Sequence, residues 1–263
     1  MNRVVIITHG GCGDHINLHG LIRYYASIVP DKLVVMSQGN CHALLCAMYE
    51  DLSNVEIFLD TDMYPELMFH DMYLLQKTNS THLIRVGFYL FECVINFKPE
   101  ISFIDSFYLS KHLDPKMRYT NFKIPNSIKE ESNIVYNDFI KQYGENYILI
   151  HEDPGNSIIN GLKYNEGVRK KISPINKEYI TNKNLPIINI NLISDKMIEY
   201  YDIILNAKEI HLIDSAWASY IYILNHIDTR FENVPIYMHY YSREFKNPLL
   251  YESPKHKNWN FID

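Results

Sequence analysis

Apolar residues fall along this chain in two alternating rhythms. Short runs stand at Val4–Ile7, Lys32–Ser37, Val55–Leu59 and His82–Gly87, and again at Asn146–His151, Pro186–Asn191, Ile210–Ile213 and Val234–His239. Compact, mostly β-branched runs of this length read as buried strands. Between them apolar positions recur at helical spacing: Ile16, Leu18, Leu21, Ile22 and Tyr25 up to Pro30, then Leu44, Leu45, Ala47 and Met48 after Asn40, then the stretch from Met63 to Gln76. A helix is expected over Ile101–His112, stopped by Pro115, and another from Ser127 to about Tyr143, with Ser127 as cap and Glu130 reaching back. Later, Met197, Ile198, Tyr201, Ile204 and Leu205 follow Asp195, and Ile221, Leu224 and Ile227 follow Ser215. Strands alternating with helices over short connections predict parallel sheets covered by helices on both faces. The aromatic-rich, less periodic stretch up to Pro125 separates two such series, which places α/β domains at residues 1–125 and 126–263.

Two junctions carry polar residues where a buried strand hands over to a helix. The first is Gly10-Gly11-Cys12-Gly13-Asp14-His15, in which glycines let the backbone turn sharply and admit a close approach. Ile16 stands where a dinucleotide fingerprint needs its third glycine, and an acidic Asp14 would repel a pyrophosphate, so that reading is rejected. No Lys-Ser or Lys-Thr pair follows, which rejects a P-loop. Two readings remain for Asp14: a helix N-cap whose carboxylate accepts backbone N–H groups, or a general base at the rim of a sheet. The helix dipole would lower the pKa of a carboxylate there and weaken it as a base, which keeps His15 and Glu152 as further candidates. His15 and His19 lie one helical turn apart without a matching third ligand, so no metal is expected.

The second junction is Asp214-Ser215-Ala216, where Ser215 and the first-turn N–H groups of the following helix offer an anion site; a plain cap is the simpler alternative. His151, Glu152 and Asp153 crowd the end of another strand in the same half. The cations that a diphosphate needs are sought in the segment 156–171, chiefly Lys163, and in Arg243.

Composition narrows the partners. The net charge is −6 with no dense Lys/Arg stripe, which disfavours nucleic acid. No run of about 18 apolar residues is present to span a membrane. Cys12, Cys41, Cys46 and Cys93 show neither zinc spacing nor a regular disulfide framework, so free thiols in a cytosolic protein are expected.

The two junctions together resemble GT-B glycosyltransferases. The first is similar to the Gly-Asp turn of the heptosyltransferase family and the second to its late Asp-Thr/Ser turn. The series Gly11 to His15, Phe103 to Tyr108, His151 to Pro154, Glu209 to His211 with Asp214-Ser215, His239 to Arg243 and Asn258-Trp259 resembles small glycosyltransferases of surface-polysaccharide clusters and large viruses. The resemblance implies two facing Rossmann-like domains, the second reduced because the chain is small, with a tail that can cross back to the first. It implies an inverting transfer from a nucleotide-sugar to a glycan or other hydroxyl acceptor, with no metal or cofactor. Asp14 would be the base; Gly11, Gly13, His151, Lys163, Asp214, Ser215, Ala216 and Arg243 would serve the donor. A nucleotide-sugar epimerase of the same fold and a catalytically silent sugar-binding protein are the alternatives.

Overall fold

The computed structural model describes residues 3–8, 11–37, 41–59, 70–86, 103–152, 175–190, 197–240 and 257–262. The chain divides into two compact units, Met1–Pro125 and Asn126–Asp263.

In the first unit four strands, β1 (Arg3–Thr8), β2 (Lys32–Ser37), β3 (Val55–Leu59) and β4 (His82–Val86), form a parallel sheet in the order β3-β2-β1-β4. The apolar runs of β1 and β2 are continuous because both faces are covered: Val5, Ile6, Leu33, Val34, Val35 and Met36 are wholly buried. The helices α1 (Cys12–Ile28), α2 (His42–Tyr49), α3 (His70–Lys77), α4 (Phe103–Leu109) and α5 (Met117–Thr120) follow. Helix α1 is pinned along its length. The Tyr108 hydroxyl donates to the Asn17 carbonyl at 2.7 Å, and the buried His19 ring stacks on Tyr49 and sits against Phe122. Burial and the neighbouring Arg23 guanidinium depress the pKa of His19 to about 3, so it is a neutral core residue.

Gly20 marks the closest approach of α1 to another backbone. A Cβ there would stand 2.1 Å from the Met117 carbonyl oxygen of α5. Alanine gains about 1 kcal/mol in helix propensity, but forced overpacking costs about 1–3 kcal/mol. Because the obstacle is backbone and not a movable side chain, the upper end applies. Gly20→Ala is expected to lower stability by about 2 kcal/mol in a urea titration; an unchanged or raised midpoint contradicts this packing.

In the second unit, β5 (Ile148–Ile150), β6 (Ile187–Asn189), β7 (Glu209–Leu212), β8 (Ile236–His239) and β9 (Trp259–Ile262) are also parallel, in the order β6-β5-β7-β8-β9. Helices α6 (Asn126–Tyr143), α7 (Tyr201–Asn206) and α8 (Ala216–Ile227) accompany them. Helix α6 ends on Gly144, whose φ of 85° is the left-handed cap conformation that glycine adopts without steric cost. Both units are therefore mixed α/β with a wholly parallel sheet, and among the described residues no helix is long and apolar enough to cross a membrane.

Three expectations are corrected. The second sheet is not the smaller in strand number, five against four among the described residues; its economy lies in length, since β5 and β6 have three residues each. The tail does not cross back at Trp259–Ile262 but pairs in parallel with β8 as the edge strand β9. Asn258 makes this possible: its side-chain amide donates to the carbonyls of Phe231 and Val234, both at 2.8 Å, while the Trp259 indole N–H donates to Asn225 Oδ1 at 2.9 Å. Finally, Ser127 lies inside α6, which starts at Asn126, so Ser127 is not its N-cap.

Candidate functional site

In an open parallel sheet, ligands bind beyond the carboxyl ends of the strands where the strand order reverses. The first sheet runs from β1 outward through β2 to β3, and β4 lies on the other side of β1, so its reversal is at β1. The second runs from β5 to β6 on one side and through β7, β8 and β9 on the other, so its reversal lies between β5 and β7.

At the first reversal Gly11 is the N-cap of α1, with an extended backbone and no side-chain capping bond, and Asp14 falls in the first turn. Asp14 is thus the third residue of the helix and not its cap, because the helix begins at Cys12, ahead of the first apolar position, Ile16. Its carboxylate reaches back to the Gly11 backbone in the manner of a capping box. Burial dominates that hydrogen bond and raises the Asp14 pKa to about 6. Desolvation of the charged form therefore acts against the lowering expected from the helix terminus. A Cβ on Gly11 would meet nothing within 4 Å among the described residues. Gly13 lies within the first turn and its carbonyl accepts from Asn17 Nδ2 at 2.8 Å. His15 is 1% exposed, so its ring faces protein and does not line an open mouth.

At the second reversal, His151 follows β5 and Asp214-Ser215 follows β7, one on each of the two bordering strands. The His151 backbone N–H donates to the His211 carbonyl at 2.9 Å, which continues the ladder one step past β5 and fixes the ring beside β7. His151 Nδ1 then lies 3.0 Å from Ser215 Oγ. Ser215 is the N-cap of α8, extended, and its Oγ accepts from the Ala218 N–H at a long 3.4 Å. The N–H of Ala216 points out of the first turn, where no carbonyl of the helix can take it. A hydroxyl, a ring nitrogen and a positive helix end therefore converge on one edge, an arrangement that suits an anion. Glu152 is half-buried beside His151, and Asp214 beside Ser215. Lys163 and Arg243, the proposed cations, lie outside the described residues, as does Asp153.

One cluster joins residues that the sequence series includes without a role. Glu209, His211 and His239 are all wholly buried on β7 and β8. Glu209 accepts from the Thr181 N–H at 2.9 Å, the Thr181 hydroxyl at 2.5 Å, Asn182 Nδ2 at 3.1 Å and His211 Nε2 at 2.7 Å. Burial pushes its pKa up, but these donors overcome it and hold the carboxyl below its ordinary value. An ionised Glu209 fixes the proton of His211 on Nε2, so His211 Nδ1 accepts from His239 Nε2 at 2.9 Å. Burial lowers the pKa of both imidazoles, that of His239 to about 4, with the neighbouring His211 adding to the effect there. The alternation Glu209-Ile210-His211, two polar residues on one strand face, was the available signal.

No protein-family model matches the chain, and no curated protein sequence matches it. Among solved structures it is similar to the crystal structure of the bacterial iron-containing dodecameric glycosyltransferase TibC from enterotoxigenic E. coli H10407, with a TM-score of 0.49 at 13% identity. That superposition covers 94% of this chain and 61% of that one, so this chain spans less than two thirds of the other's length.

Proposed function

We propose that the chain is an inverting glycosyltransferase of the GT-B type, which moves a sugar from a nucleotide-diphosphate sugar to a hydroxyl acceptor without a metal ion. The observation that carries this reading is the pairing of His151 and Ser215 at 3.0 Å across the strand-order reversal of the second sheet, in front of the α8 N-terminus. The diphosphate of the donor lies against Asp214-Ser215-Ala216, where backbone N–H groups and the Ser215 hydroxyl take up the negative charge that grows on the leaving group. A cation from Lys163 or Arg243 supplies the balancing positive charge. Asp14 serves the acceptor: it takes the hydroxyl proton as that oxygen attacks the anomeric carbon and the bond to the diphosphate breaks. A carboxyl with a pKa of about 6 is well matched to this task near neutral pH.

The test is a panel of UDP, GDP, ADP, CMP and dTDP sugars, with release of the nucleotide followed with and without glycan acceptors. Acceptor-dependent release of one nucleotide supports the proposal. Altered donor sugar with no acceptor present indicates an epimerase, and binding without turnover across the panel indicates a silent sugar-binding protein. Ser215→Ala removes one charge-assisted hydrogen bond, so donor affinity is expected to fall by about 1–2 kcal/mol, roughly 5- to 30-fold in Kd. Undiminished affinity in a titration would place the diphosphate elsewhere.

A further inference from the structure

Free, unrelated thiols were expected from the cysteine spacing, and the structure brings two of them together. Strands β1 and β2 are neighbours, so the turns that leave their carboxyl ends are neighbours too. Cys12 is the first residue of α1, after β1, and Cys41 is the N-cap of α2, after β2. Their Sγ atoms stand 2.6 Å apart, with neither cysteine in a disulfide. About half an ångström separates this contact from the roughly 2.05 Å of an S–S bond, so little movement is needed to close it. The two thiols differ in access: Cys12 is half-buried and Cys41 is wholly buried.

We propose that Cys12 and Cys41 form a reversible dithiol–disulfide pair, a modification site whose co-reactant is a low-molecular-weight disulfide such as glutathione disulfide. Cys12 is the attacking group. The Cys41 thiol and the backbone N–H of Cys12 itself lower the Cys12 pKa against burial and the Asp14 charge, whereas the Cys41 thiol is pushed up by its bond to Cys12 and by burial. The Cys12 thiolate attacks one sulfur of glutathione disulfide, whose S–S bond breaks, and one glutathione leaves as thiolate and takes a proton from water. Cys41 then loses its proton and attacks Cys12 Sγ, breaking the mixed disulfide and releasing the second glutathione. The protein pair is oxidised by two electrons, and one glutathione disulfide is reduced to two thiols. The bond ties the first turn of α1, which carries Asp14, to the start of α2. Cys46 is exposed and its thiol contacts His42 Nε2 at 3.6 Å, on the outward side of α2.

The test treats the full chain with excess glutathione disulfide, quenches with acid, alkylates under denaturing conditions and maps the peptides by mass spectrometry. In wild type, two of the four cysteines are expected to escape alkylation, with the Cys12 and Cys41 peptides joined, and dithiothreitol restores all four. Cys41→Ser is expected to retain one glutathionyl group on Cys12, whereas Cys12→Ser leaves Cys41 unmodified. Four alkylated cysteines in the oxidised wild type, or a link from either residue to Cys46 or Cys93, overturns the proposal. The wild-type map decides the question even where a variant folds poorly, and it needs no glycosyl-transfer activity.

Discussion

Asp14→Asn is expected to be more stable than the wild type at pH 7, equally stable near pH 4, and defective in sugar transfer. The stability part follows from linkage. The carboxyl has a pKa of about 6 in the folded chain and about 4 when unfolded, so between these values the folded state holds more protons. Wild-type stability therefore falls as pH rises through that window, by up to about 3 kcal/mol. Asparagine does not titrate and still offers an oxygen to the Gly11 backbone, so it escapes the loss. The catalytic part follows from chemistry: an amide cannot take the acceptor proton, and loss of a general base lowers turnover by about 10²–10⁴-fold. In the wild type, kcat/KM should rise with pH to a plateau above about pH 6. Chemical melts of both proteins from pH 4 to pH 7, with transfer rates alongside, check both parts. An Asp14→Asn protein that transfers at the wild-type rate makes Asp14 a structural group, and the base must then be sought at Glu152.

Glu209→Ala is expected to cost about 3–5 kcal/mol, the largest stability loss of any single change considered. Removing a buried carboxylate that accepts several hydrogen bonds leaves its donors unsatisfied, at about 1–3 kcal/mol for each donor that stays buried. Here the Thr181 N–H and hydroxyl, Asn182 Nδ2 and the wholly buried His211 Nε2 would all lose their acceptor. Glu209→Gln preserves the shape but turns one oxygen into a donor facing other donors, so an intermediate loss of about 2 kcal/mol is expected. The wild-type stabilisation is present above the ordinary glutamate pKa and disappears as pH falls through the lowered folded value. Urea titrations at pH 7 and at pH 4 measure this: the gap between wild type and Glu209→Ala should narrow in acid. A gap below about 1 kcal/mol at pH 7 would show that water or other groups take over the acceptors.

The alternation of strands and helices was legible chiefly because the β-branched runs of β1 and β2 are buried on both faces, and continuous burial writes itself as continuous apolarity. Strand β9 was missed because Trp-Asn-Phe-Ile is short and mixed, and its place depends on Asn258 contacts made far along the chain. The two polar junctions could be seen because glycine, aspartate and serine after an apolar run are local signals. What surrounds them is not local. The raised pKa of Asp14 comes from desolvation by folded neighbours, and the approach of Cys12 to Cys41 comes from the adjacency of β1 and β2. The carboxylate–imidazole–imidazole chain joins two strands 28 residues apart in sequence, a pairing that no spacing rule announces.

The donor site is the central claim, and a crystal of the chain soaked with the nucleoside diphosphate that best raises its melting temperature tests it most directly. Phosphate oxygens are expected within hydrogen-bond distance of the Ala216 N–H and Ser215 Oγ at the start of α8. Phosphates bound away from Asp214-Ser215-Ala216, with that turn empty, would contradict it.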